Sequence, residues 1–404
     1  MKVFFVTCLY PHEYYDDFRE WAKGDIQAAA NVFQWGVVEG LCRVNADYEV
    51  ITLPAMPSCP LKCDKMHLPQ GDVIFNDKPI GKMLSYCNLT GYKDISMYKK
   101  LKRYLFHKLK HSMVASQRIV IMTYGLYPPL VNAVLEVKKK YQDVVVASIV
   151  TDLVDDMMNF HSNRKCLKRV QCAINAKMTR KNYKHIDKYV LLSKYMVEKI
   201  SEAAGRYIVI EGIARERDFV QIKASESVRS LLYTGTLDEF SGVGDLVDAF
   251  LMIKQENARL VICGDGPLKA KILDSAAKDT RVDYRGCVSH DEAIRLQRES
   301  SVLINPRKPN NSITRYSFPS KTMEYLVSGT PMMGYRLDGI PEEYYEHIYS
   351  IEGNSLDYLA NRIQEVLFLP QEELDKKAYK AYQFINNGKT SSKQVSRMME
   401  FLAE

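Results

Sequence analysis

The stretch of sequence that decides the fold is Leu231-Leu-Tyr-Thr-Gly-Thr-Leu-Asp-Glu-Phe-Ser-Gly-Val-Gly-Asp245. It opens with an apolar, β-rich run, turns at Gly235, and leads into residues 243–252, where apolar side chains recur at helical spacing. A glycine at the end of a strand allows another backbone or a phosphate to approach closely, in front of the free N–H groups of the next helix. The segment predicts one βα unit and leaves two interpretations open, a phosphate-binding turn and a plain tight turn.

The same order of strand and helix recurs along the whole chain. The predicted strands are Val3–Thr7, Ile119–Thr123, Val144–Val150, Tyr189–Leu192, Leu231–Thr234, Leu260–Cys263, Val302–Ile304 and Pro331–Tyr335. Their alternation with helix-period segments predicts the α/β class, with βαβ units and parallel sheets. Because the strands fall into two sets, we expect two doubly wound, Rossmann-like domains, residues 1–204 and 205–388, and a C-terminal helix at about 389–404 that could pack back on the first domain.

The length and composition agree with more than one domain. The chain has 404 residues, and a domain usually contains roughly 100–200. Its 46% of hydrophobic residues and 26% of charged residues exclude wholesale disorder. The formal net charge of +7 permits an anionic partner without identifying one.

The cysteines and the N-terminus bear on the compartment. The nine cysteines are mostly scattered, and the apolar run at the N-terminus is too short for a signal peptide. No stretch approaches the roughly 20 apolar residues that a membrane span needs. These features predict a reducing, cytoplasmic compartment. Cys59, Cys63 and His67 lie close in sequence, but zinc needs a fourth ligand and none is compelling nearby, so a loop with ordinary thiols is favoured over a metal site.

A second segment repeats the strand, glycine turn and helix. It is Leu260-Val-Ile-Cys-Gly-Asp-Gly-Pro-Leu268, in which Pro267 suits the first turn of a helix. The segment lacks the full dinucleotide-binding fingerprint. Taken alone, it favours a tight turn without a ligand.

A third segment carries the strongest signal and comprises Ile304-Asn-Pro-Arg307 and Tyr316-Ser-Phe-Pro-Ser-Lys-Thr-Met-Glu-Tyr-Leu-Val-Ser-Gly-Thr-Pro331. Ser320 and Glu324 are four residues apart and share one face of the predicted helix. A carboxylate fixed there can accept both hydroxyls of a ribose, while Lys321 and the helix N-terminus can meet a diphosphate. The alternative is that these charged side chains form a solvated helix face.

These segments together resemble the retaining nucleotide-sugar glycosyltransferases of family 4, which have the GT-B fold of two Rossmann-like domains facing a central cleft. The matching motifs, in the family's order, are Tyr-Thr-Gly-Thr-Leu at 233–237, Gly-Asp-Gly-Pro at 264–267, Arg-Gly-Cys-Val at 285–288 and Phe-Pro-Ser-Lys-Thr-Met-Glu-Tyr-Leu-Val-Ser-Gly-Thr-Pro at 318–331. The last motif is similar to the version in bacterial polysaccharide-assembly transferases. The N-terminal half resembles the family only loosely.

The C-terminal half departs from the family pattern at three positions. Glu324 matches the second of the family's paired glutamates, but Tyr316 stands where the first is expected. Thr236 and Ser241 stand where the family usually has an arginine and a lysine for the diphosphate. If the protein is active, the positive charge must come from Arg307, Arg315 or Lys321.

The resemblance implies a donor site in the C-terminal domain and an acceptor site in the N-terminal domain. The expected donor-binding residues are Gly235, Thr236, Gly264, Val288, Phe318, Pro319, Ser320, Lys321 and Glu324. The expected catalytic residues are Asp152, Lys321 and Arg307, and the expected acceptor-side residues are His12 and Tyr10. For Asp152 a surface or helix-capping role stays open, as does an ordinary loop role for His12.

The activity that the resemblance implies is hexosyl transfer with retention of anomeric configuration. The donor is expected to be a nucleotide sugar, in the first place a UDP-sugar, and the acceptor a glycan or lipid-linked glycan in capsule or exopolysaccharide synthesis. We expect no metal and no cofactor, since cationic side chains and a helix N-terminus can stabilise the leaving diphosphate. The alternatives are a nucleotide-sugar 2-epimerase and a non-catalytic, nucleotide-sugar-binding partner subunit of a transferase complex.

The basic residues are concentrated in two segments of the N-terminal half. Residues 98–118 carry seven Lys/Arg and no acidic residue, and residues 161–189 carry nine Lys/Arg and one Asp. Both have an apolar stripe at helical spacing, and a basic amphipathic helix can lie on an anionic leaflet. We therefore expect peripheral binding to the inner face of the cell membrane. The alternatives are stripes that pack on the sheet beneath a solvated basic face, and nucleic acid, which no motif supports.

Overall fold

The computed structural model describes residues 1–24, 26–112, 117–153, 166–216, 219, 227–309 and 313–404. The chain forms two compact units, unit 1 from Met1–Ile213 with Ser391–Glu404, and unit 2 from Ala214–Thr390. Both consist of a largely parallel sheet with helices, which confirms the predicted α/β class.

Unit 1 contains an eight-stranded sheet in the order β3-β4-β2-β1-β5-β6-β7-β8. Its elements are β1 (Lys2–Thr7), α1 (Tyr15–Trp21), α2 (Ala28–Arg43), β2 (Asp47–Thr52), β3 (Gly71–Phe75), β4 (Lys78–Met83), α3 (Lys93–Ser112), β5 (Ile119–Tyr124), α4 (Pro128–Lys140), β6 (Val145–Val150), α5 (Cys166–Tyr183), β7 (Lys188–Leu191) and β8 (Tyr207–Val209). The central strands are buried on both faces, which is why they read as unbroken apolar runs.

Unit 2 contains a six-stranded, wholly parallel sheet in the order β11-β10-β9-β12-β13-β14. Its elements are β9 (Arg229–Thr234), α6 (Val243–Met252), β10 (Ala258–Cys263), α7 (Lys269–Lys278), β11 (Val282–Gly286), α8 (His290–Glu299), β12 (Val302–Asn305), α9 (Ser320–Leu326), β13 (Met332–Tyr335), β14 (Ile348–Ile351), α10 (Leu356–Leu367) and α11 (Gln371–Gly388). The last helix, α12 (Ser391–Ala403), returns to unit 1.

The packing of α12 on α2 depends on the absence of a side chain at Gly40. A Cβ added there would lie 2.3 Å from Val395 Cγ2 and 2.4 Å from Ser391 O. Val395, Met398 and Leu402 are fully buried in the core of unit 1. The C-terminal helix is therefore an integral part of that core.

One strand pair differs from the predicted parallel arrangement. β3 and β4 are antiparallel and are joined by the two-residue turn Asn76–Asp77. Both turn residues have positive φ, 50° and 59°. Such a turn matches the twist of a hairpin, and Asn and Asp tolerate it better than most residues. β4 pairs with β2 in parallel, so the hairpin leaves β3 as an antiparallel edge strand on an otherwise parallel sheet.

Each sheet has one topological switch point, at which the chain reverses the direction in which it adds strands. In unit 1 the reversal lies between β1 and β5, and in unit 2 it lies between β9 and β12. The loops that follow such a pair of strands diverge to opposite faces of the sheet and leave a crevice, which is where open α/β sheets bind ligands. The residues after these four strands are thus the first candidates for function.

Candidate functional site

In unit 2, the loops after β9 and β12 meet in close backbone contact. Gly242, just before α6, has a φ of 77°. A Cβ at this position would lie 2.1 Å from Pro306 O, so only glycine fits. This contact holds the loop that begins at Gly235 against the segment that carries Arg307. The β9/β12 switch point is thereby built from two of the segments that the sequence singles out.

The glycine turn after β10 packs against the turn after β9. Gly264 has a φ of 141°, and a Cβ there would lie 1.8 Å from Gly235 O. The Gly235 amide donates to Cys263 O (3.0 Å), and the Gly264 amide donates to Gly286 O (2.8 Å). Since both amides are already bonded within the protein, the tight-turn interpretation explains these two glycines.

Glu324 lies on α9, which is attached directly to the end of β9. The hydroxyl of the neighbouring Tyr325 accepts a hydrogen bond from the Thr234 amide (3.0 Å) and lies 2.9 Å from Thr234 Oγ1. The Glu324 carboxylate accepts hydrogen bonds from Gln297 Nε2 and, at 3.1 Å, from Lys321 Nζ. Burial alone would raise the pKa of Glu324, but Lys321 and Gln297 more than offset burial and lower it. The carboxylate is half-buried and ionised, as an acceptor of ribose hydroxyls must be.

Gln297 is a functional candidate that the sequence reasoning misses. It lies on α8, is only 1% exposed, and holds Glu324 while its carbonyl accepts from Thr330 Oγ1 at 2.7 Å. The one signal in the sequence is its position four residues after the buried Ala293, on the apolar face of α8. Its partner could not be read from that spacing.

The cations near this edge differ in whether they are already neutralised. Lys321 pairs with Glu324, and Arg315 pairs with Asp338 at 3.1 Å. In the described part of unit 2, no carboxylate lies within ion-pair distance of Arg307, whose guanidinium carbon stands 5.1 Å from the centre of the Phe240 ring. Burial lowers the pKa of Arg307, which shows that its charge is partly desolvated. Of the three cations that the sequence proposes for a diphosphate, Arg307 is the one beside which the described residues show no carboxylate within ion-pair distance.

The remaining predicted donor residues are placed as follows. Phe318 is buried and packs edge-to-face on Tyr344 at 5.4 Å. Pro319 is buried, Ser320 is exposed at the start of α9, Thr236 is exposed, and Val288 is half-buried. Phe318 and Pro319 are thus held by packing, and their role in donor binding stays a prediction.

Two of the positions that depart from the family pattern have clear local roles. Ser241 donates its hydroxyl to Asp238 O (2.7 Å), and its amide donates to Asp238 Oδ1 (2.7 Å), closing the turn before α6. Tyr316 is half-buried and donates its amide to Ile313 O at 3.1 Å. Neither side chain carries a charge to the switch point.

In unit 1, a cavity of about 520 Å³ lies at the β1/β5 switch point. Among its lining residues are Cys8 after β1, Tyr124 at the end of β5, Asp152 after β6, and Lys93 at the start of α3. Asp152 is accessible from solvent, yet desolvation by the surrounding protein raises its pKa, against the effect of the Thr151 hydroxyl 3.0 Å away. The structure thus places Asp152 in a cavity, and it adds Lys93, which the sequence does not single out.

The two predicted acceptor-side residues do not line this cavity. Tyr10 is buried, its hydroxyl donates to Ala55 O at 2.9 Å, and burial raises its pKa to about 12. His12 is exposed and stacks on Trp35, with ring centres 4.2 Å apart. Tyr10 thus packs in the core and His12 packs on Trp35, and an acceptor-side role for either residue stays a prediction.

The cysteine cluster shows no metal-binding arrangement. Cys63 Sγ accepts a hydrogen bond from the Lys65 amide at 3.4 Å. Over the described ranges, no group of three or more His, Cys, Asp or Glu side chains is placed to hold a metal ion.

The two basic segments differ in what the structure describes. On α3 the stripe of Leu101, Leu105 and Leu109 is fully buried, so it belongs to the core. In the second segment, residues 161–165 and the side chains of 166–171 lie outside the described residues, and so do residues 113–116 of the first. On α5, Ile174 and Met178 are 55% and 40% exposed. None of the helices among the described residues is long and apolar enough to cross a membrane.

Comparison with known proteins bears on both units. A family model described as "Glycosyl transferases group 1" matches residues 228–368, which include Glu324 and Arg307. A search of the curated proteins found no match to the chain.

The whole chain is similar in structure to several solved proteins. They include sucrose-phosphate synthase from Thermosynechococcus elongatus (14% identity, 100% of this chain and 98% of that chain, TM-score 0.65). They also include a UDP-forming α,α-trehalose-phosphate synthase from Burkholderia xenovorans (10% identity, 100% and 98%, TM-score 0.64). A third is WaaG, a glycosyltransferase involved in lipopolysaccharide biosynthesis (12% identity, 100% and 100%, TM-score 0.59). At such identities the likeness shows the fold alone. The chain has the GT-B fold, and the family match in unit 2 supports a glycosyltransferase.

Proposed function

We propose that the protein is a retaining glycosyltransferase that moves a hexose from a nucleotide sugar, in the first place a UDP-sugar, to a glycan or lipid-linked glycan. The observation that carries the proposal is the ionised Glu324 carboxylate, held by Gln297 and Lys321 at the ligand-binding edge of unit 2. This carboxylate lies inside the segment that the glycosyltransferase family model matches.

In the proposed donor complex, the side chains of unit 2 bind each part of the nucleotide. Glu324 accepts the two ribose hydroxyls, and Arg307 and Lys321 bind the diphosphate. Negative charge develops on the diphosphate as the bond to the sugar breaks, so cations fixed near it stabilise the transition state more than the ground state. Lys321 would have to divide its hydrogen bonds between Glu324 and the phosphate, whereas Arg307 is free to bind without losing an ion pair.

We propose that transfer needs no metal ion, because Arg307 and Lys321 supply the positive charge. If so, a chelator such as EDTA leaves the rate of transfer unchanged. A rate that falls with EDTA and returns with Mg²⁺ or Mn²⁺ would contradict this part of the proposal.

The experiment that tests the donor site is a thermal-shift and binding panel of nucleotides and nucleotide sugars, followed by assays of turnover. Glu324→Ala should lose affinity for UDP, since it loses charge-assisted hydrogen bonds to the ribose. Glu292→Ala, on the exposed face of α8 where the carboxylate pairs with Arg295, is the matched control. Unchanged affinity of Glu324→Ala would reject the ribose role, and donor binding without any hydrolysis or transfer would favour a non-catalytic subunit.

The diphosphate role of Arg307 can be tested separately. Arg307→Gln should weaken UDP binding by about 10- to 100-fold, as expected for one charged hydrogen-bonding group, and should weaken UMP binding much less. Arg259→Gln, at the exposed start of β10, is the control. Equal losses for UDP and UMP would place the guanidinium elsewhere than on the second phosphate.

For the acceptor we propose a lipid-linked glycan reached at an anionic membrane surface through unit 1. The support is the exposed pair Ile174 and Met178 on α5, next to the basic residues of segment 161–189. Co-sedimentation with anionic and with neutral vesicles at low and high salt tests the proposal. Binding to anionic vesicles that falls with salt is expected, and equal binding to both kinds would refute it.

A further inference from the structure

We propose that the cavity at the β1/β5 switch point of unit 1 binds a phosphorylated sugar, and that the Lys93 ammonium binds its phosphate group. In one respect this rests on the proposed function, since we take that phosphorylated sugar to be the acceptor or the phosphate-bearing end of a lipid-linked acceptor. The cavity and its cation stand independently of it.

The first support is the state of Lys93 itself. Its Nζ donates to Met56 O at 2.6 Å, which uses one of its three N–H groups. Across the described ranges, no carboxylate lies within ion-pair distance of this ammonium, although Asp94 is its chain neighbour. The Asp94 carboxylate instead accepts a hydrogen bond from the Tyr127 hydroxyl. Burial lowers the pKa of Lys93, and the nearby charge of Asp94 offsets this effect only in part.

The second support is the position of Lys93 in α3. It is the first residue of a 20-residue helix, where the macrodipole favours anions and disfavours cations. Helix stability therefore does not account for a lysine here. An anion bound in the cavity would pair with this ammonium, beside which the described residues place no carboxylate within ion-pair distance.

The third support is the composition of the cavity wall. Ile26, Met97 and Leu126 give apolar surface, while Asp152 and Asn175 give polar groups that can bond sugar hydroxyls. A volume of about 520 Å³ is ample for a hexose phosphate. Ligand pockets of this size usually combine a mostly apolar wall with a few polar groups that fix the orientation. The wall thus fits a sugar ring, and the cation fits its phosphate.

The decisive experiment is calorimetric titration of the full chain with α-D-glucose 1-phosphate, with glucose as the neutral control. We expect binding of the phosphate ester and none of glucose. Lys93→Gln keeps a donor for Met56 O but removes the charge, and should weaken binding on the order of tenfold or more. Lys78→Gln, at an exposed position of β4, should bind as the unaltered chain does. Equal affinity in Lys93→Gln would overturn the proposal, because a lysine that only tethers the Met56 loop tolerates this change.

Two readouts locate the binding. Cys172 lines the cavity and Cys287 is exposed in unit 2, so the bound sugar phosphate should slow alkylation of Cys172 and leave that of Cys287 unchanged. Arg307→Gln should leave glucose 1-phosphate binding intact. If Arg307→Gln abolishes it and Cys172 stays unprotected, the ligand lies in unit 2 and the proposal is overturned.

A vesicle-binding experiment distinguishes a free sugar phosphate from a lipid-linked one. Neutral phosphatidylcholine vesicles with and without a polyprenyl phosphate are compared for retention of the unaltered chain and of Lys93→Gln. Retention that requires both the polyprenyl phosphate and Lys93 indicates a lipid-linked ligand, whereas binding of glucose 1-phosphate alone indicates a free one. A chain that lacks all nucleotide-sugar binding but still binds glucose 1-phosphate through Lys93 would refute the proposed function and leave this inference standing.

Discussion

Replacing Gly264 by alanine should disrupt the ligand-binding edge of unit 2 far more than the same change at Gly286, which also ends a strand. An alanine Cβ at Gly264 would lie 1.8 Å from Gly235 O, a backbone atom that cannot rotate away. At Gly286 the added Cβ meets nothing within 4 Å, although φ is 68°. The two substitutions add the same methyl group, but only at Gly264 does it meet a backbone atom, and the φ of 141° at Gly264 is also less accessible to alanine than the 68° at Gly286.

The magnitudes follow from the two geometries. At Gly286 only the left-handed backbone is strained, which costs about 1–2 kcal/mol. At Gly264 a strained backbone, about 1–3 kcal/mol, adds to overpacking against the turn after β9, about 1–3 kcal/mol. We therefore expect a loss of roughly 2–6 kcal/mol at Gly264, a large part of the 5–15 kcal/mol that stabilises a typical domain.

Urea unfolding followed by far-UV circular dichroism measures the loss. With a slope of about 2 kcal/mol per molar urea, the midpoint should fall by roughly 1–3 M for Gly264→Ala and by about 0.5–1 M for Gly286→Ala. The two tryptophans, Trp21 and Trp35, both lie in unit 1, so their fluorescence gives a separate reading of that unit. The reasoning is refuted if Gly264→Ala unfolds within about 0.3 M of the unaltered chain, or if Gly286→Ala costs as much.

Three further substitutions test other contacts. Gln297→Leu removes a donor to the Glu324 carboxylate, so the pKa of Glu324 should rise and the stability of unit 2 at pH 7 should fall by about 1–3 kcal/mol. A depressed carboxyl pKa stabilises the fold only above the pKa of the unfolded chain, near 4.5. The urea midpoints of the variant and the unaltered chain should therefore converge as the pH falls below that value. Asp152→Asn should raise the urea midpoint of unit 1, followed by tryptophan fluorescence at pH 7, because the raised pKa of Asp152 means that its ionised carboxylate destabilises the fold. This gain in stability should vanish as the pH falls towards 3.8. A gain that persists in acid would contradict this cause. Gly40→Ala should lower the tryptophan-monitored midpoint of unit 1 by an amount equivalent to about 1–3 kcal/mol, because the new Cβ would lie 2.3 Å from Val395 Cγ2. An unchanged midpoint would mean that α12 contributes little to the stability of unit 1.

The sequence predicts the buried strands, because their residues are apolar on both faces. All eight predicted strands form, with ends within two residues of the predicted ones, because buried parallel strands are apolar on both faces. The β3–β4 hairpin escapes the prediction since its strands are half-exposed and contain Gly71 and Gly81. A Cβ at Gly81 would lie 1.8 Å from Val50 O, so this glycine is fixed by a partner 31 positions away in the chain. No local pattern carries that information.

The residues of the candidate sites also differ in whether a local motif or a distant contact identifies them. Glu324 could be selected from a motif because its helix and neighbouring residues are contiguous in sequence. Gln297, which holds the carboxylate, and Lys93, which lines the cavity in unit 1, depend on contacts between distant segments. Tyr10 lies just after β1, which suggests the ligand-binding edge, while its side chain is buried and its hydroxyl donates to Ala55 O. Spacing identifies the edge of a sheet, but only the packing decides which side chains face the crevice.

Each unit places a cation beside its switch point, and this is the strongest physical reason to regard both points as candidate ligand sites. Arg307 follows β12 at the switch point of unit 2, and Lys93 lines the switch point of unit 1. Burial lowers the pKa of each, and the described residues place no carboxylate within ion-pair distance of either. Other cations of the same two units are neutralised, as Lys108 is by Glu49 at 2.8 Å. Since a partly desolvated charge without an ion-pair partner costs folding free energy, we propose that an anion binds beside each of these two cations. A nucleotide diphosphate in unit 2 and a phosphorylated acceptor in unit 1 would satisfy both charges, and the two variants Arg307→Gln and Lys93→Gln should then separate donor affinity from acceptor affinity.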